Sequence, residues 1–218
     1  MILGIYGAGG LGREVYELAL SINAKYNKWQ EVFFIDDSQN NNNLRNIPIY
    51  SFEETNKIYG KDNLQVCIAV GEPSTRMALY KKLKSESINL ATLIHPEVTI
   101  PESTNINEGT IICKFVSITC DITIGSNVYI HPMACIGHDA HIGNNSVISS
   151  FVDVAGNCII GSRVFLAINV VLKQGITVGD DSIVGLASVV YKNIPNSVIA
   201  LGNPARPMKN NLEKKVFK

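Results

Sequence analysis

The sequence predicts a chain of two parts: an α/β domain of the parallel-sheet type over residues 1–90 and a β-helix over residues 91–218. Two observations carry this prediction. In the first part, strand-like and helix-like segments alternate, which is the pattern of βαβ units around a parallel sheet. In the second part, an aliphatic residue returns at every sixth position without a break, and a fixed period of six is typical of a hexapeptide β-helix.

The elements of the first part follow from local patterns. MILGIY predicts a buried strand, and the glycine-rich turn at 7–12 leads into a helix that extends to about Ile22. VFFIDD predicts a second strand that ends at Asp36 and Asp37, and SQNNNNLRN at 38–46 predicts a polar loop. The strand IPIY, a helix near 51–59, the strand LQVCIAVG and a helix near 74–86 follow.

The glycine-rich turn satisfies the pattern GxGxxG with Gly7, Gly9 and Gly12. Such a turn lets the backbone approach a phosphate at a helix N-terminus, and Asp36 lies about where a ribose-binding acid would fall. A nicotinamide cofactor is therefore one interpretation. About 90 residues are too few for the two mononucleotide halves of a dinucleotide fold, so this part is a Rossmann-like half domain and its length argues against that cofactor. Arg13 and Arg76 are either phosphate ligands or solvated surface charges.

The second part is defined by its repeat. Residues four positions after each aliphatic residue are small or β-branched, and neither a helical nor a simple strand period predicts both series. The aliphatic series is Ile94, Ile100, Ile106, Ile112, Ile118, Ile124, Ile130, Ile136, Ile142, Ile148, Val154, Ile160, Leu166, Leu172, Val178, Val184 and Val190.

With this repeat behind a βαβ half domain, the chain resembles the bacterial sugar O/N-acyltransferase family, which includes sialic acid O-acetyltransferases and UDP-4-amino-sugar N-acetyltransferases. The resemblance implies a left-handed parallel β-helix with three hexads, or 18 residues, per coil. The general rule for crossover connections favours the opposite hand. The resemblance also implies acetyl-CoA as co-substrate, a nucleotide sugar bound by residues 1–90, and a homotrimer with active sites between subunits.

The stretch CIGHDAHIG, residues 135–143, places two of the four histidines in an otherwise apolar repeat. His138 follows the inward-facing Ile136 by two residues, so it is expected to protrude at a corner of the coil. Gly156 comes one coil later and is expected to stack over His138, because adjacent strands lie about 4.8 Å apart. By the resemblance, His138 is the general base, Asp139 orients its ring, and the Gly156 N–H stabilises the oxyanion.

The same column continues through Gln174 and Lys192, and we expect the pantetheine arm to run along it. The segment Asn203-Pro204-Ala205-Arg206 resembles the close of many hexapeptide acyltransferases, and Arg206, with Lys209, is expected to meet the coenzyme A phosphates. The remaining site residues are assigned by the resemblance alone. They are Gly10, Leu11, Gly12, Asp36, Asp37, Gly71 and His131 for the nucleotide sugar, and Val147, Ile168 and Leu186 for the coenzyme A groove.

The resemblance implies acetyl transfer to the amino group of a nucleotide-linked 4-amino-4,6-dideoxy sugar. O-acetylation of sialic acid or another sugar would use the same His-Asp pair, and a β-helix scaffold without chemistry is the non-enzymatic alternative. A zinc site needs a spacing of histidines that His131, His138 and His141 do not supply, so no metal is expected. We expect His95 to be a structural cap and His141 to lie on a flat side.

Composition excludes several other classes. Lys and Arg number 19, as do Asp and Glu, and a chain without excess positive charge does not favour nucleic acid. No apolar run approaches the roughly 18 residues of a membrane span, and the first residues lack the features of a signal peptide. The five cysteines form no CxxC pair, which predicts reduced thiols in a cytoplasmic protein, and none is expected beside His138.

Overall fold

The computed structural model describes residues 1–38 and 43–217; residues 39–42 of the predicted polar loop lie outside the described residues. The first part is a six-stranded sheet of order β3-β4-β2-β1-β5-β6, parallel except for the β3–β4 pair. Its elements are β1 (Ile2–Tyr6), α1 (Gly10–Tyr26), β2 (Glu31–Ile35), β3 (Asn43–Leu44), β4 (Ile47–Tyr50), α2 (Phe52–Tyr59), β5 (Leu64–Ile68), α3 (Pro73–Ser85) and β6 (Asn89–Leu90).

The three helices begin and end for identifiable reasons. Ser51 and Glu54 form a capping box at the start of α2, and Pro73 occupies the first turn of α3, where its missing N–H costs nothing. The prediction for α1 was too short. The apolar period ends at Ile22, but the helix gains a further exposed turn that closes at Asn27 in the left-handed conformation, with φ 48°.

The second part is a triangular coil of two-residue parallel strands, each paired with the strand 18 residues away. The second residue of each strand points into the core, and every one of these residues belongs to the predicted aliphatic series. The one member of the series that lies outside the strands is Ile100. The strands are β7 (Leu93–Ile94), β8 (Asn105–Ile106), β9 (Ile111–Ile112), β10 (Ser117–Ile118), β11 (Thr123–Ile124), β12 (Tyr129–Ile130), β13 (Cys135–Ile136), β14 (His141–Ile142), β15 (Val147–Ile148), β16 (Asp153–Val154), β17 (Ile159–Ile160), β18 (Phe165–Leu166), β19 (Val171–Leu172), β20 (Thr177–Val178), β21 (Ile183–Val184) and β22 (Val189–Val190).

Three faces and three corners result. Face I contains β10, β13, β16, β19 and β22; face II contains β8, β11, β14, β17 and β20; face III contains β7, β9, β12, β15, β18 and β21, extended by β23 (Val198–Gly202) and β24 (Ala205–Asn210). The turn from face I to face II, which includes 137–140 and 155–158, is the His138 corner. The turn from face III to face I, which includes 131–134 and 149–152, is the His131 corner. The turn from face II to face III is the Asn127 corner.

The Asn127 corner is a column of polar side chains 18 residues apart. Asn127 donates through Nδ2 to Asn145 Oδ1 at 2.8 Å, and two coils later Arg163 Nε donates to Asp181 Oδ1 at 2.6 Å. Arg163 and then Lys214 hold the pKa of the Asp181 carboxyl below its ordinary value. Because these groups satisfy one another, the column can be buried at low cost.

The α/β part packs on face III. Leu93, Ile111, Tyr129 and Val147 point outward from that face, yet all are fully buried in one cluster with residues of β1, β2 and α1. Arg76 of α3 joins the same junction and bonds to Asn127. The two parts therefore share a continuous apolar interface. In the described ranges, no helix is both long and apolar enough to cross a membrane.

Candidate functional site

The His138 corner holds the predicted His-Asp pair. Asp139 lies in the left-handed conformation, with φ 59°, so the chain turns sharply and both side chains stay outside the coil. The side chains of His138 and Asp139 are 50% and 52% exposed, and His138 Nδ1 lies 2.7 Å from Asp139 Oδ2. The protruding position is confirmed. Because the carboxylate accepts the proton on Nδ1, the lone pair of the imidazole is on Nε2.

Gly156 stacks over the ring as the coil arithmetic predicted. A Cβ built on Gly156 would lie 2.5 Å from His138 Nε2, so any other residue there would displace the imidazole. The Asn157 N–H donates to the His138 carbonyl at 2.8 Å, whereas no acceptor among the described residues takes the Gly156 N–H. Glycine therefore leaves the imidazole nitrogen uncovered, and the amide of the same residue has no protein acceptor in the described ranges.

One sequence expectation about this corner was wrong. Cys120 lies one coil before His138, and the Asp139 N–H donates to the Cys120 carbonyl at 3.2 Å. The side chain is exposed, and its hydrogen bond to Asp121 is the first cause that raises the pKa of the thiol. A thiol with a raised pKa is a poor nucleophile. Cys120 is thus a neighbour of the pair without the properties of a nucleophile.

The His131 corner contains a cavity of about 940 Å³, between the α/β part and the upper coils. This volume lies within the range of small-molecule sites. Several residues that the resemblance assigned to two different ligands line it together: Leu11, Gly71, His131, Val147, Ile168 and Leu186.

His131 has an environment opposite to that of His138. Its ring packs edge-on against Tyr129 with centroids 4.3 Å apart. Burial, and secondly the nearby charge of Arg76, lower the pKa of His131 to about 4. His131 is therefore neutral near pH 7 and can accept or donate a hydrogen bond in the cavity without carrying charge.

The glycine-rich loop is shaped by close packing. A Cβ on Gly12 would lie 1.9 Å from the Gly7 carbonyl oxygen, so Gly12 lets α1 sit against the end of β1 and is buried rather than open to a ligand. Gly10 is exposed and Leu11 is half-buried, and both lie in the first turn of α1. Asp36 accepts the Ala8 N–H at 2.9 Å, which ties the loop to the end of β2.

Asp37 and the two arginines differ from their expected surroundings. Both oxygens of Asp37 accept hydrogen bonds from the protein: the Phe52 N–H at 2.8 Å, the Tyr6 hydroxyl, and Lys82 at 2.9 Å. Arg76 is neither a phosphate ligand nor a surface charge. It is fully buried, and its guanidinium donates to carbonyls of Ile68, Val70 and Asn127, so it links the two parts of the chain. Arg13 is exposed beside the loop.

Arg206 lies apart from the large cavity. It lines a second cavity of about 590 Å³ with Lys192, the residue two coils beyond Gly156 in the His138 column. The expected coenzyme A residues therefore divide between two corners. Arg206 and Lys192 continue the His138 corner, whereas Ile168 and Leu186 belong to the His131 corner and Val147 lies on face III next to it.

Sequence reasoning missed the contribution of the C-terminal segment to the large cavity. Phe217 lines it, and Glu72 accepts the backbone N–H of Phe217 at 3.0 Å. No periodic signal marks the last residues of the chain, so their return to the α/β part could not be predicted. Outside the site, His95 accepts the Glu97 N–H, which confirms a cap, and His141 is exposed on face II, which confirms its place on a flat side. Among the described residues, no three His, Cys, Asp or Glu side chains cluster as metal ligands do.

Comparison with known families gives two matches. Residues 3–83 match the PglD N-terminal domain, and residues 121–156 and 139–174 match the bacterial transferase hexapeptide of six repeats. Among curated protein sequences, none matches the chain.

Solved structures match nearly the whole chain. WeeI from Acinetobacter baumannii AYE is 28% identical, with 95% of this chain and 100% of that chain covered and a TM-score of 0.88. PerB from Caulobacter crescentus, in complex with CoA and GDP-perosamine, is 25% identical, with 96% and 98% covered and a TM-score of 0.87. The acetyltransferase domain of PglB from Neisseria gonorrhoeae, in complex with acetyl coenzyme A, is 25% identical, with 95% and 98% covered and a TM-score of 0.86. The repeat match and these folds identify the coil as a left-handed parallel β-helix.

Proposed function

Because the chain belongs to the hexapeptide-repeat family of sugar acyltransferases, we propose that it transfers an acetyl group from acetyl-CoA to the amino group of a nucleotide-linked 4-amino-4,6-dideoxy sugar. The observation that carries the proposal is the His138 corner. His138 has its Nδ1 bound to a carboxylate and its Nε2 under a glycine, so the base is uncovered, and the N–H of that glycine has no acceptor among the described residues. Two of the solved structures named above hold such ligands: PerB holds CoA and GDP-perosamine, and the acetyltransferase domain of PglB holds acetyl coenzyme A.

His138 moves the proton in this proposal. A thioester supplies an activated acetyl carbon, and the sugar amine must lose a proton as its nitrogen bonds to that carbon. His138 Nε2 accepts this proton, and Asp139 stabilises the resulting imidazolium through Nδ1. As the bond from carbon to sulfur breaks, the imidazolium returns the proton to the departing sulfur. The histidine ends the cycle neutral, and no covalent bond to the enzyme is required.

Gly156 stabilises the charge that develops. When the amine adds, the acetyl oxygen becomes negative, and in this proposal it accepts a hydrogen bond from the Gly156 N–H, which no described protein group uses. Loss of one such donor costs about 100- to 1000-fold in rate in other enzymes. The backbone N–H is fixed by the ladder on either side, so little reorganisation accompanies the reaction.

The division of residues supports an active site built from two chains. The base and the amide donor lie at one corner of the coil, and the cavity with Leu11, Gly71 and His131 lies at another. In our proposal, residues 1–90 hold the nucleotide sugar, residues 91–218 hold acetyl-CoA, and a homotrimer brings the His138 corner of one copy to the His131 corner of the next.

The test is thiol release from acetyl-CoA with an acceptor panel: UDP-, dTDP- and GDP-linked 4-amino-4,6-dideoxy sugars, and free and CMP-linked sialic acid. Wild type, His138→Ala and His141→Ala are compared. Turnover of an amino sugar that falls by about 100- to 10,000-fold in His138→Ala and is kept in His141→Ala is the expected result. His141 is the matched control because it is exposed three residues away.

Turnover of sialic acid alone would replace the amine acceptor by a hydroxyl while keeping the base. Full activity of His138→Ala would remove the proposed proton path. Failure of acetyl-CoA to bind would exclude acetyl transfer and leave a scaffold role.

A further inference from the structure

The C-terminal segment, residues 211–217, crosses from the top of the coil to the α/β part and ends in the large cavity. Its first anchor is the Asn127 corner. Asn211 Nδ2 donates to the Asp181 carbonyl at 2.9 Å, and Lys214 Nζ lies 3.1 Å from the Asp181 carboxylate. These two contacts fix the first half of the segment on the coil.

The second anchor is Glu72. One oxygen of its carboxylate accepts the N–H groups of Val216 and Phe217 at 2.9 and 3.0 Å. Glu72 follows Gly71 in the loop between β5 and α3, at the carboxyl end of the parallel sheet, where α/β domains bind their ligands. Two charge-assisted bonds to consecutive amides fix the direction of the backbone and so the exit of the Phe217 ring.

The Phe217 ring contacts both the β-helix and the α/β part at the edge of the cavity. It lies edge-on to Phe165 of face III with centroids 5.6 Å apart, and a Cβ on Gly71 would meet it at 3.5 Å. The residue is nevertheless 57% exposed, so much of the ring faces open space. The cavity keeps about 940 Å³ with the segment in place, so the ring borders the space and does not fill it.

We propose that Phe217 forms a wall of the acceptor site and packs against the nucleotide sugar, and that Glu72 is the positioning residue that holds it there. The inference rests on the proposed function, because the acceptor is the nucleotide sugar named there. An aromatic ring at a nucleotide site offers a rigid apolar surface for a base or sugar ring. The site thereby takes one wall from the last residues of the chain.

The test uses the full chain and the panel member that is turned over fastest. Phe217→Ala is expected to raise the KM for that nucleotide sugar by about tenfold while kcat and the KM for acetyl-CoA stay within about twofold. Glu72→Ala is expected to act in the same direction, and Glu72→Gln, which keeps an acceptor oxygen, to recover most of the loss. The double variant Glu72→Ala/Phe217→Ala should bind no more weakly than Phe217→Ala.

Leu212→Ala is the matched control, since Leu212 is 84% exposed in the same segment. An unchanged acceptor KM in Phe217→Ala would overturn the proposal, as would a lower KM, which would make the ring a plug. An equal rise in both KM values would reduce the ring to a structural role and overturn it as well. Calorimetry with the same nucleotide sugars and no acetyl-CoA separates this inference from the chemistry. Weaker binding to Phe217→Ala supports the wall even if no acetyl transfer occurs, and no binding to wild type overturns it.

Discussion

Two corners of the coil each present a histidine, only seven residues apart, and they give it opposite properties. At the His138 corner the ring is half exposed, bound to a carboxylate and overlain by Gly156. At the His131 corner the ring is packed on Tyr129, and burial lowers its pKa to about 4. The comparison teaches that a histidine is not identified as a base by its residue type alone. At His138 the following residue, Asp139, and the residue one coil later, Gly156, give the ring the surroundings of a base.

The largest effect is expected from mixing two inactive chains. We expect His138→Ala and the cavity-blocking Gly71→Trp each to abolish turnover. If each site takes one corner from each of two copies, random co-assembly restores about a quarter of wild-type activity, because one site in four contains both intact corners. Activity of purified co-expressed chains measures this. No recovery in chains shown to co-assemble would place both corners in a site within one chain.

A side chain at position 156 should crowd the His138 ring, as Tyr129 crowds the His131 ring. In Gly156→Ala the new Cβ would lie 2.5 Å from Nε2, so the ring must move away from the reacting atoms. A displacement of about 1 Å costs on the order of 100-fold in kcat. His141→Ala, which changes an exposed side chain on face II, is the control. Equal activity of Gly156→Ala and wild type would mean that the base is not held at this position.

The carboxylate is the next difference to remove. Asp139→Asn keeps the size of the side chain but withdraws the charge that faces Nδ1 at 2.7 Å. A hydrogen bond to a charged group contributes about 1.5–3 kcal/mol, discounted here because both side chains are half exposed, so we expect kcat to fall about tenfold. The pH–rate profile and kcat are the measurements. A profile identical to that of wild type would deny the carboxylate a role in proton transfer.

The smallest effect concerns stability at the His131 corner. Because the pKa of His131 is about 4 in the folded chain against 6.5 for an ordinary histidine, the unfolded chain binds a proton between those values that the folded chain does not. The free energy of unfolding should therefore rise with pH across this window. His131→Gln should lower that slope in urea unfolding experiments, and His141→Gln should leave it unchanged. An unaltered slope in His131→Gln would contradict the depressed pKa.

The repeat made the coil and its stacked pairs predictable. A period of six fixes which residue points inward, and a turn of 18 fixes which residues stack, so Gly156 could be placed over His138 without a structure. The same spacing places Cys120 one coil before His138, so the expectation that no cysteine lies beside His138 was wrong.

Arg76 and Phe217 could not be predicted in this way. A charged residue on a helix ordinarily faces solvent, and no feature of the α3 sequence indicates that Arg76 packs against the Asn127 corner. Phe217 meets Gly71 only through a contact between residues far apart in sequence. Both depend on how the α/β part sits on face III, and that arrangement has no periodic signature.

The column at the Asn127 corner has a geometric consequence. At one end of the column Arg76 donates a hydrogen bond to the Asn127 carbonyl. Three turns further along the coil, Lys214 of the C-terminal segment bonds to the Asp181 carboxylate. The number of turns between Asn127 and Asp181 therefore sets the distance between Gly71 and Phe217. Removing one whole turn of 18 residues would keep each remaining side chain on its face, yet it would shift the anchored end by about 4.8 Å, the spacing of one strand. Repeat proteins can often gain or lose whole turns, but in this chain the number of turns is constrained by the width of the cavity between Gly71 and Phe217.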